Sequence, residues 1–240
     1  MQNNNCNFFY TIMLTGILSF CTIQYAFSQE DSKTYLTDLK KELVKEWPKN
    51  KTINLVFHGH SVPTGYFKTP VVNTFQSYPF LAFKQVKHHY PTAVINFIVT
   101  GIGGENSING EKRFNDVLAH RPDVLFIDYA LNDRLVGLVQ SKMAMVKMIE
   151  AALDKKIKVI LLTPTPHQNY NMLTIDDPYQ EFTNQLIALA KTYHIGLVDS
   201  YQIFKNKLAE GNPVAKYMSQ INHPNEIGHQ LIADEIYKWF

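Results

Sequence analysis

The chain of 240 residues is 45% hydrophobic and 18% charged, figures that fit one ordinary globular domain and leave no comfortable room for a second. With 23 Lys and Arg against 21 Asp and Glu the net charge is only +2, and without a basic cluster this excludes a phosphate-tracking surface and a nucleic-acid partner. Two cysteines, Cys6 and Cys21, are too few for a disulfide scaffold.

Residues 1–28 carry no Lys, Arg, Asp or Glu, and 8–23 are almost wholly apolar. This run falls short of the ~20 apolar residues that a spanning helix needs. Ala26 and Ser28 are small residues at the two positions read by a signal peptidase. The expectation is therefore an export signal over 1–28, a mature domain over 29–240, and a periplasmic or extracellular location. Because the amino-terminal segment lacks a positive side chain, an uncleaved anchor is the alternative. Bulky Phe20 before Cys21 argues against a lipoprotein. Both cysteines lie in the leader, so the remaining domain needs no disulfide chemistry.

An amphipathic helix is expected over 32–47, with Tyr35, Leu36, Leu39, Leu43 and Trp47 at helical spacing. Apolar, β-branched runs at 53–57, 93–99, 124–128, 158–163 and 196–198 read as strands buried on both faces. Helical patterns separate or follow them at 73–89, 110–119, 140–154, 178–193, 200–208 and 225–239. Strict β-α alternation forces parallel pairing, and right-handed crossovers place helices on both faces. The fold class is thus a three-layer α/β/α domain on a five-stranded parallel sheet. Ligands in such folds bind beyond the carboxyl ends of the strands, where the strand order reverses.

Functional residues should accordingly follow strands. After the first comes His58-Gly59-His60-Ser61, where Ser61 is either a nucleophile exposed on a sharp turn or a helix N-cap. After the second comes Gly101-Ile102-Gly103-Gly104, which allows close backbone approach but lacks the spacing of a phosphate or dinucleotide loop. After the third, Asn132 is an amide donor or a turn residue. Before the last helix stands His223, a candidate general base beside Pro224, which suits a first helical turn. A zinc site on His58 and His60 would need a third ligand at defined spacing, and none is evident. His60 fits better as an organiser of the loop behind Ser61.

These four blocks, in this order from residue 59 to residue 229, resemble those of the SGNH hydrolases, the GDSL-like esterases. The resemblance implies a flavodoxin-like sheet and a serine esterase with no metal or organic cofactor. It implies Ser61 as nucleophile, His223 as base and then acid, and an oxyanion hole from the Ser61 and Gly104 N–H groups and the Asn132 side chain. Two positions depart from the pattern. His60 stands where the family usually has Asp, and Gln220 where its catalytic acid usually lies, three residues before the histidine. An amide can orient a histidine but cannot stabilise an imidazolium as a carboxylate does. Asp199 and Asp177, with its neighbour Asp176, are the first acids expected to substitute if any does; Asp133 is another candidate, its alternative as Asn132's neighbour being to point into the fold. A non-catalytic binding module on the same fold is the alternative from a different class.

For substrate, the expectation is a short acyl ester, acetyl above all, on a carbohydrate. Tyr66, Tyr129 and His167, with Phe67, Asn169 and Tyr170, supply aromatic and hydrogen-bonding surface of the kind sugars use, and His60 is a further candidate contact. A lipase would show a broader apolar mouth. Arg134 can anchor an anionic substrate, its ordinary surface role being an ion pair.

Overall fold

The computed structural model describes residues 30–240. The expected leader over 1–28, with Cys6 and Cys21, lies outside the described residues. The elements in chain order begin with α1 (Thr37–Leu43), β1 (Thr52–Gly59), α2 (Ser61–Thr64), α3 (Tyr78–His89) and β2 (Val94–Val99). They continue with α4 (Ser107–Lys112), α5 (Phe114–Ala119), β3 (Val124–Asp128), α6 (Ala130–Asp133), α7 (Leu138–Asp154) and β4 (Lys158–Leu162). Last come α8 (Tyr179–Tyr193), β5 (Gly196–Val198), α9 (Ser200–Ala209), β6 (Met218–Gln220), β7 (His223–Pro224) and α10 (Glu226–Tyr237).

All five long-range strands run parallel in the order β2-β1-β3-β4-β5. Helices α3 and α10 cover one face, and α4, α7 and α8 the other, giving the three layers expected. The order reverses at β1, whose neighbours β2 and β3 are reached by crossovers on opposite faces, so the crevice opens between the carboxyl ends of β1 and β3. Their register sets Phe57 beside Phe126 and Gly59 beside Asp128. The two phenylalanine rings stack at 4.3 Å in a core that continues through Val56, Ile127 and Leu161. Gly59 is obligatory at this point: a Cβ there would come within 2.5 Å of the Asp128 carbonyl oxygen.

Several boundaries differ from the periodicity. The helix expected over 32–47 is confined to Thr37–Leu43, and Trp47, placed on its apolar face, is 85% exposed. Pro48 follows it and disfavours helical geometry at Trp47. The 73–89 segment divides into a short 3₁₀ turn, Thr74–Gln76, and α3, because Ser77 is extended and Pro79 opens the new helix. The 110–119 segment divides at Arg113, whose side chain turns inward to Glu105. Strand β2 is an edge strand and only partly covered, not buried on both faces as its composition suggested. Pro224 does not open the last helix either: it sits in the β6–β7 hairpin, and Asn225 caps α10 by accepting the Gly228 N–H at 3.1 Å.

Candidate active site

Ser61 is the first residue of α2, directly beyond β1, and His223 comes from the β6–β7 hairpin on the far end of the chain. Their side chains meet: Ser61 Oγ lies 2.8 Å from His223 Nε2, with both residues buried. With the imidazole proton on Nδ1, the serine hydroxyl donates to Nε2, the arrangement in which a histidine can take the serine proton. Burial holds His223 below the ordinary histidine pKa; a hydrogen bond to the Phe67 carbonyl opposes that shift and the neighbouring His60 ring adds to it. The ring is therefore neutral near pH 7.

Behind His223 there is no carboxylate among the described residues. Nδ1 lies 3.0 Å from the Phe67 carbonyl oxygen, a neutral acceptor for its N–H. The Gln220 amide also abuts Nδ1. Its Oε1 accepts the Thr69 backbone N–H at 3.1 Å and approaches the Thr69 hydroxyl at 3.3 Å, so the edge turned to the ring is the NH₂ group. That NH₂ can donate to Nδ1 only when the imidazole proton has moved to Nε2. Phe67 and Gln220 thus favour opposite tautomers. Asp199 and Asp177, the acids expected from sequence, do not reach His223. Asp199 caps α9 through the Gln202 N–H at 3.0 Å and accepts the Thr163 hydroxyl at 2.8 Å. Asp177 accepts the Tyr201 hydroxyl at 2.7 Å and the Tyr179 N–H at 3.1 Å, and Asp176 is exposed. Carboxylates in these places serve to satisfy helix termini.

On the opposite side of the crevice the 101–105 loop packs against the serine turn. Ile102 N–H donates to the Gly59 carbonyl at 3.1 Å, and a Cβ on Gly101 would come within 2.3 Å of Thr64 Oγ1. Gly104 has φ +76, with open space where a side chain would project. Asn132 Nδ2 donates one N–H to the Glu105 carbonyl at 2.9 Å, which leaves its second N–H for another acceptor. The backbone N–H groups of Ser61 and Gly104 have no protein partner among the described residues.

The Glu105 side chain anchors this loop from behind. Arg113 clamps it with two N–H donors, one at 2.8 Å from Oε1, and the Tyr129 hydroxyl donates to Oε2 at 2.7 Å. Burial works to raise the Glu105 pKa, but the bonds from Arg113 and Tyr129 outweigh it and hold the carboxyl below its ordinary value, hence ionised. His58 completes the group, its Nε2 3.1 Å from the Tyr129 hydroxyl and its Nδ1 2.9 Å from Thr100 Oγ1. Burial, reinforced by the Arg113 charge, pushes His58 down to about 4. Glu105 and Arg113 escaped the sequence reading. The adjacency of Glu105 to Gly104 was visible, but nothing in the chain announces that Arg113, Tyr129 and His58 converge on it.

Other expected site residues separate into lining and buried positions. Tyr129 is fully buried in the group just described, so it cannot touch a substrate as expected. His60 is also fully buried. Its Nδ1 accepts the Val62 N–H at 3.2 Å, and its Nε2 lies 3.3 Å from Asp128 Oδ1, so it braces the serine turn and is not a substrate contact. Asp128 Oδ2 accepts the Tyr78 hydroxyl at 2.9 Å. His58 and His60 point to different partners, and among the described residues no three His, Cys, Asp or Glu side chains gather as a metal site. Asp133 points into the fold, taking the Ser107 N–H at 2.7 Å and the Ser141 hydroxyl at 2.6 Å. Tyr66 lines the crevice, its ring 6.0 Å from that of His223 and against Gly103. Arg134 and His167 meet around Tyr170: the guanidinium is 5.5 Å from the Tyr170 ring and the imidazole 5.1 Å.

Comparison with known proteins finds the same fold elsewhere. The fold resembles a two-domain esterase active on acetylated mannans, at 21% identity and a TM-score of 0.71, over 88% of this chain and 54% of that one. The chain therefore spans about half the length of that relative. It also resembles an acetyl xylan esterase, at 22% identity and a TM-score of 0.64, over 77% of this chain and 98% of that one. A catalytic mutant of an acetylxylan esterase from Geobacillus stearothermophilus gives 21% identity and a TM-score of 0.65, covering 76% and 91% of the two chains. Curated proteins gave no match. Residues 57–231, which include Ser61, Gly104, Asn132 and His223, match the GDSL-like lipase/acylhydrolase family. The chain belongs to that family.

Proposed function

We propose that the enzyme removes short acyl groups, acetyl above all, from carbohydrate esters, with Ser61 as nucleophile and His223 as general base. The observation that carries the reading is the 2.8 Å contact between Ser61 Oγ and His223 Nε2 at the switch point of the sheet. Serine attacks the ester carbonyl while Nε2 takes its proton, and the developing oxyanion accepts from the Ser61 and Gly104 N–H groups and the unused N–H of Asn132. The imidazolium then returns its proton to the leaving alcohol, and water repeats the sequence on the acyl-enzyme. The Phe67 carbonyl holds the Nδ1 proton throughout, in place of a carboxylate.

Support for an acetylated glycan comes from the relatives named above, which act on acetylated mannan and xylan, and from the aromatic surface at Tyr66 and Tyr170. Export, inferred from the uncharged apolar leader, would bring the enzyme to such polymers. Among the described residues no helix is long and apolar enough to cross a membrane.

The test is hydrolysis of p-nitrophenyl acetate and of acetylated xylan and mannan by the purified protein and by Ser61→Ala. Ser61→Ala should lose at least ~10³-fold in kcat, the scale on which removal of a nucleophile acts. Equal rates for the two proteins would overturn the serine mechanism. Preference for long-chain over acetyl esters would overturn the carbohydrate reading.

A further inference from the structure

Arg134 stands two residues beyond Asn132, exposed at the carboxyl end of the sheet. Its expected surface role was an ion pair, yet among the described residues no acidic side chain pairs with it. Its neighbour Asp133 is turned inward to Ser107 and Ser141. In the facing loop Asp177 is buried and committed to the Tyr201 hydroxyl and the Tyr179 N–H. Neutral rings hold the guanidinium instead. It lies 5.5 Å from the centroid of Tyr170, beside Tyr179. His167 packs beside both tyrosines, at 5.1 Å and 6.1 Å. Burial and the Arg134 charge keep that histidine below its ordinary pKa, so it adds no second cation near pH 7.

The loop carrying His167 and Tyr170 is tied to the histidine side of the crevice. Gln168 N–H donates to the Ile221 carbonyl at 2.7 Å and its side chain to the Gln220 carbonyl at 3.0 Å. Arg134 therefore sits between the Asn132 shoulder and the segment that leads into His223. A planar, preorganised fork of donors over an aromatic surface matches a carboxylate carried on a sugar ring: the rings meet the C–H face and the guanidinium takes both carboxylate oxygens.

We propose that Arg134, Tyr170 and His167 form a subsite for a uronic-acid residue, so that the preferred substrate is an acetylated glycan containing acidic sugars. This rests on the esterase reading above and deepens it. The experiment compares kcat/KM on acetylated oligogalacturonides with that on acetylated xylo-oligosaccharides of equal length, for the wild type, Arg134→Gln and Arg134→Lys. Hydrogen-succinate esters of a neutral sugar form a third arm, and Ser61-dependent release of p-nitrophenol from its acetate reports whether the enzyme is an esterase at all.

The wild type should favour the acidic glycan at least tenfold, through KM and with a preference that shrinks as salt rises. Arg134→Gln should abolish that ratio, and Arg134→Lys should restore only part of it, because an ammonium lacks the bidentate fork. A wild-type preference for the neutral glycan, or a ratio that Arg134→Gln leaves intact, would overturn the subsite while leaving the esterase standing. An Arg134-dependent preference for the succinate ester would place the carboxylate on the acyl side and overturn the sugar assignment. Absence of Ser61-dependent hydrolysis would overturn both.

Discussion

Behind the 101–105 loop stands an ionised carboxylate, Glu105, gripped by Arg113 and Tyr129 and backed by His58. Behind His223 stand two uncharged groups, the Phe67 carbonyl and the Gln220 amide, which ask for different tautomers of the same ring. In the usual serine triad the charge is placed behind the histidine, where it stabilises the imidazolium. Here the buried charge fixes the wall that carries the proposed oxyanion donors Gly104 and Asn132, and the histidine is left with dipoles. The contrast implies a rigid, preorganised oxyanion side and a base that is correctly placed but weakly supported.

The largest effect that can break this comparison is on the loop wall. Glu105→Ala leaves Arg113, Tyr129 and His58 without their shared acceptor. It should lower unfolding free energy by about 3 kcal/mol, the low end for a broken buried pair because Arg113 keeps some contact with water. Urea denaturation measures it. A change below about 0.5 kcal/mol, the scale of an ordinary surface substitution, would mean that the charge group is not what holds the wall.

Comparable in size is the effect of the donor itself. Asn132→Ala removes the proposed side-chain oxyanion donor and should reduce kcat about 10²- to 10³-fold with KM nearly constant, as loss of a single such donor does. An effect confined to KM would show that Asn132 binds the ground state equally well, and the oxyanion side would then be no more specialised than the other.

Both sides contain a buried histidine, His58 behind the loop and His229 of α10, whose ring stacks on Phe67 at 5.0 Å, and these set the response of stability to acid. Burial pushes His58 down to about 4 and His229 to about 3, the Arg113 charge adding to the first and the His223 ring to the second. In the unfolded chain each takes its proton near the ordinary value of about 6.5, so below that pH the unfolded state binds more protons and stability falls. The slope should approach about 1.4 kcal/mol per pH unit for each histidine between pH 6.5 and 5, above the range where most carboxylates titrate. Denaturant unfolding at half-unit intervals checks it. A flat profile would mean that the folded protein protonates both rings without strain.

How much of this could be read beforehand follows from where each part lies in the chain. Ser61, Gly104 and Asn132 stood out because each follows an apolar strand, and His223 because it precedes the final amphipathic helix. The layered parallel fold was legible for the same reason. Supporting groups were not. A backbone carbonyl such as that of Phe67 has no residue-type signature, and the Glu105, Arg113, Tyr129 and His58 group joins four segments that only the folded sheet brings together. Asp199 and Asp177 were misjudged because an acid after a strand or in a site loop serves equally well as a helix cap. His60 occupies the position of an expected aspartate, and β3 supplies a carboxylate to it from Asp128, 3.3 Å away.

The smallest predicted effect is also the sharpest on the comparison. Gln220→Glu keeps the length of the side chain, so one carboxylate oxygen can retain the Thr69 N–H while the other accepts the Nδ1 proton of His223. The competing NH₂ donor disappears, the tautomer that accepts the Ser61 proton is favoured, and the imidazolium gains a counter-charge. In the proposed mechanism kcat on p-nitrophenyl acetate should rise about tenfold, equivalent to roughly 1.4 kcal/mol of transition-state stabilisation. The acidic limb of the pH–rate profile should also move. In the wild type, burial holds the His223 pKa below its ordinary value, so activity should extend further into acid than an unperturbed histidine would allow. A neighbouring carboxylate raises the pKa of the ring, and the variant should lose activity at higher pH than the wild type does. An unchanged limb with unchanged kcat would show that the Phe67 carbonyl alone already fixes the ring, and that the neutral side is as well supported as the charged one.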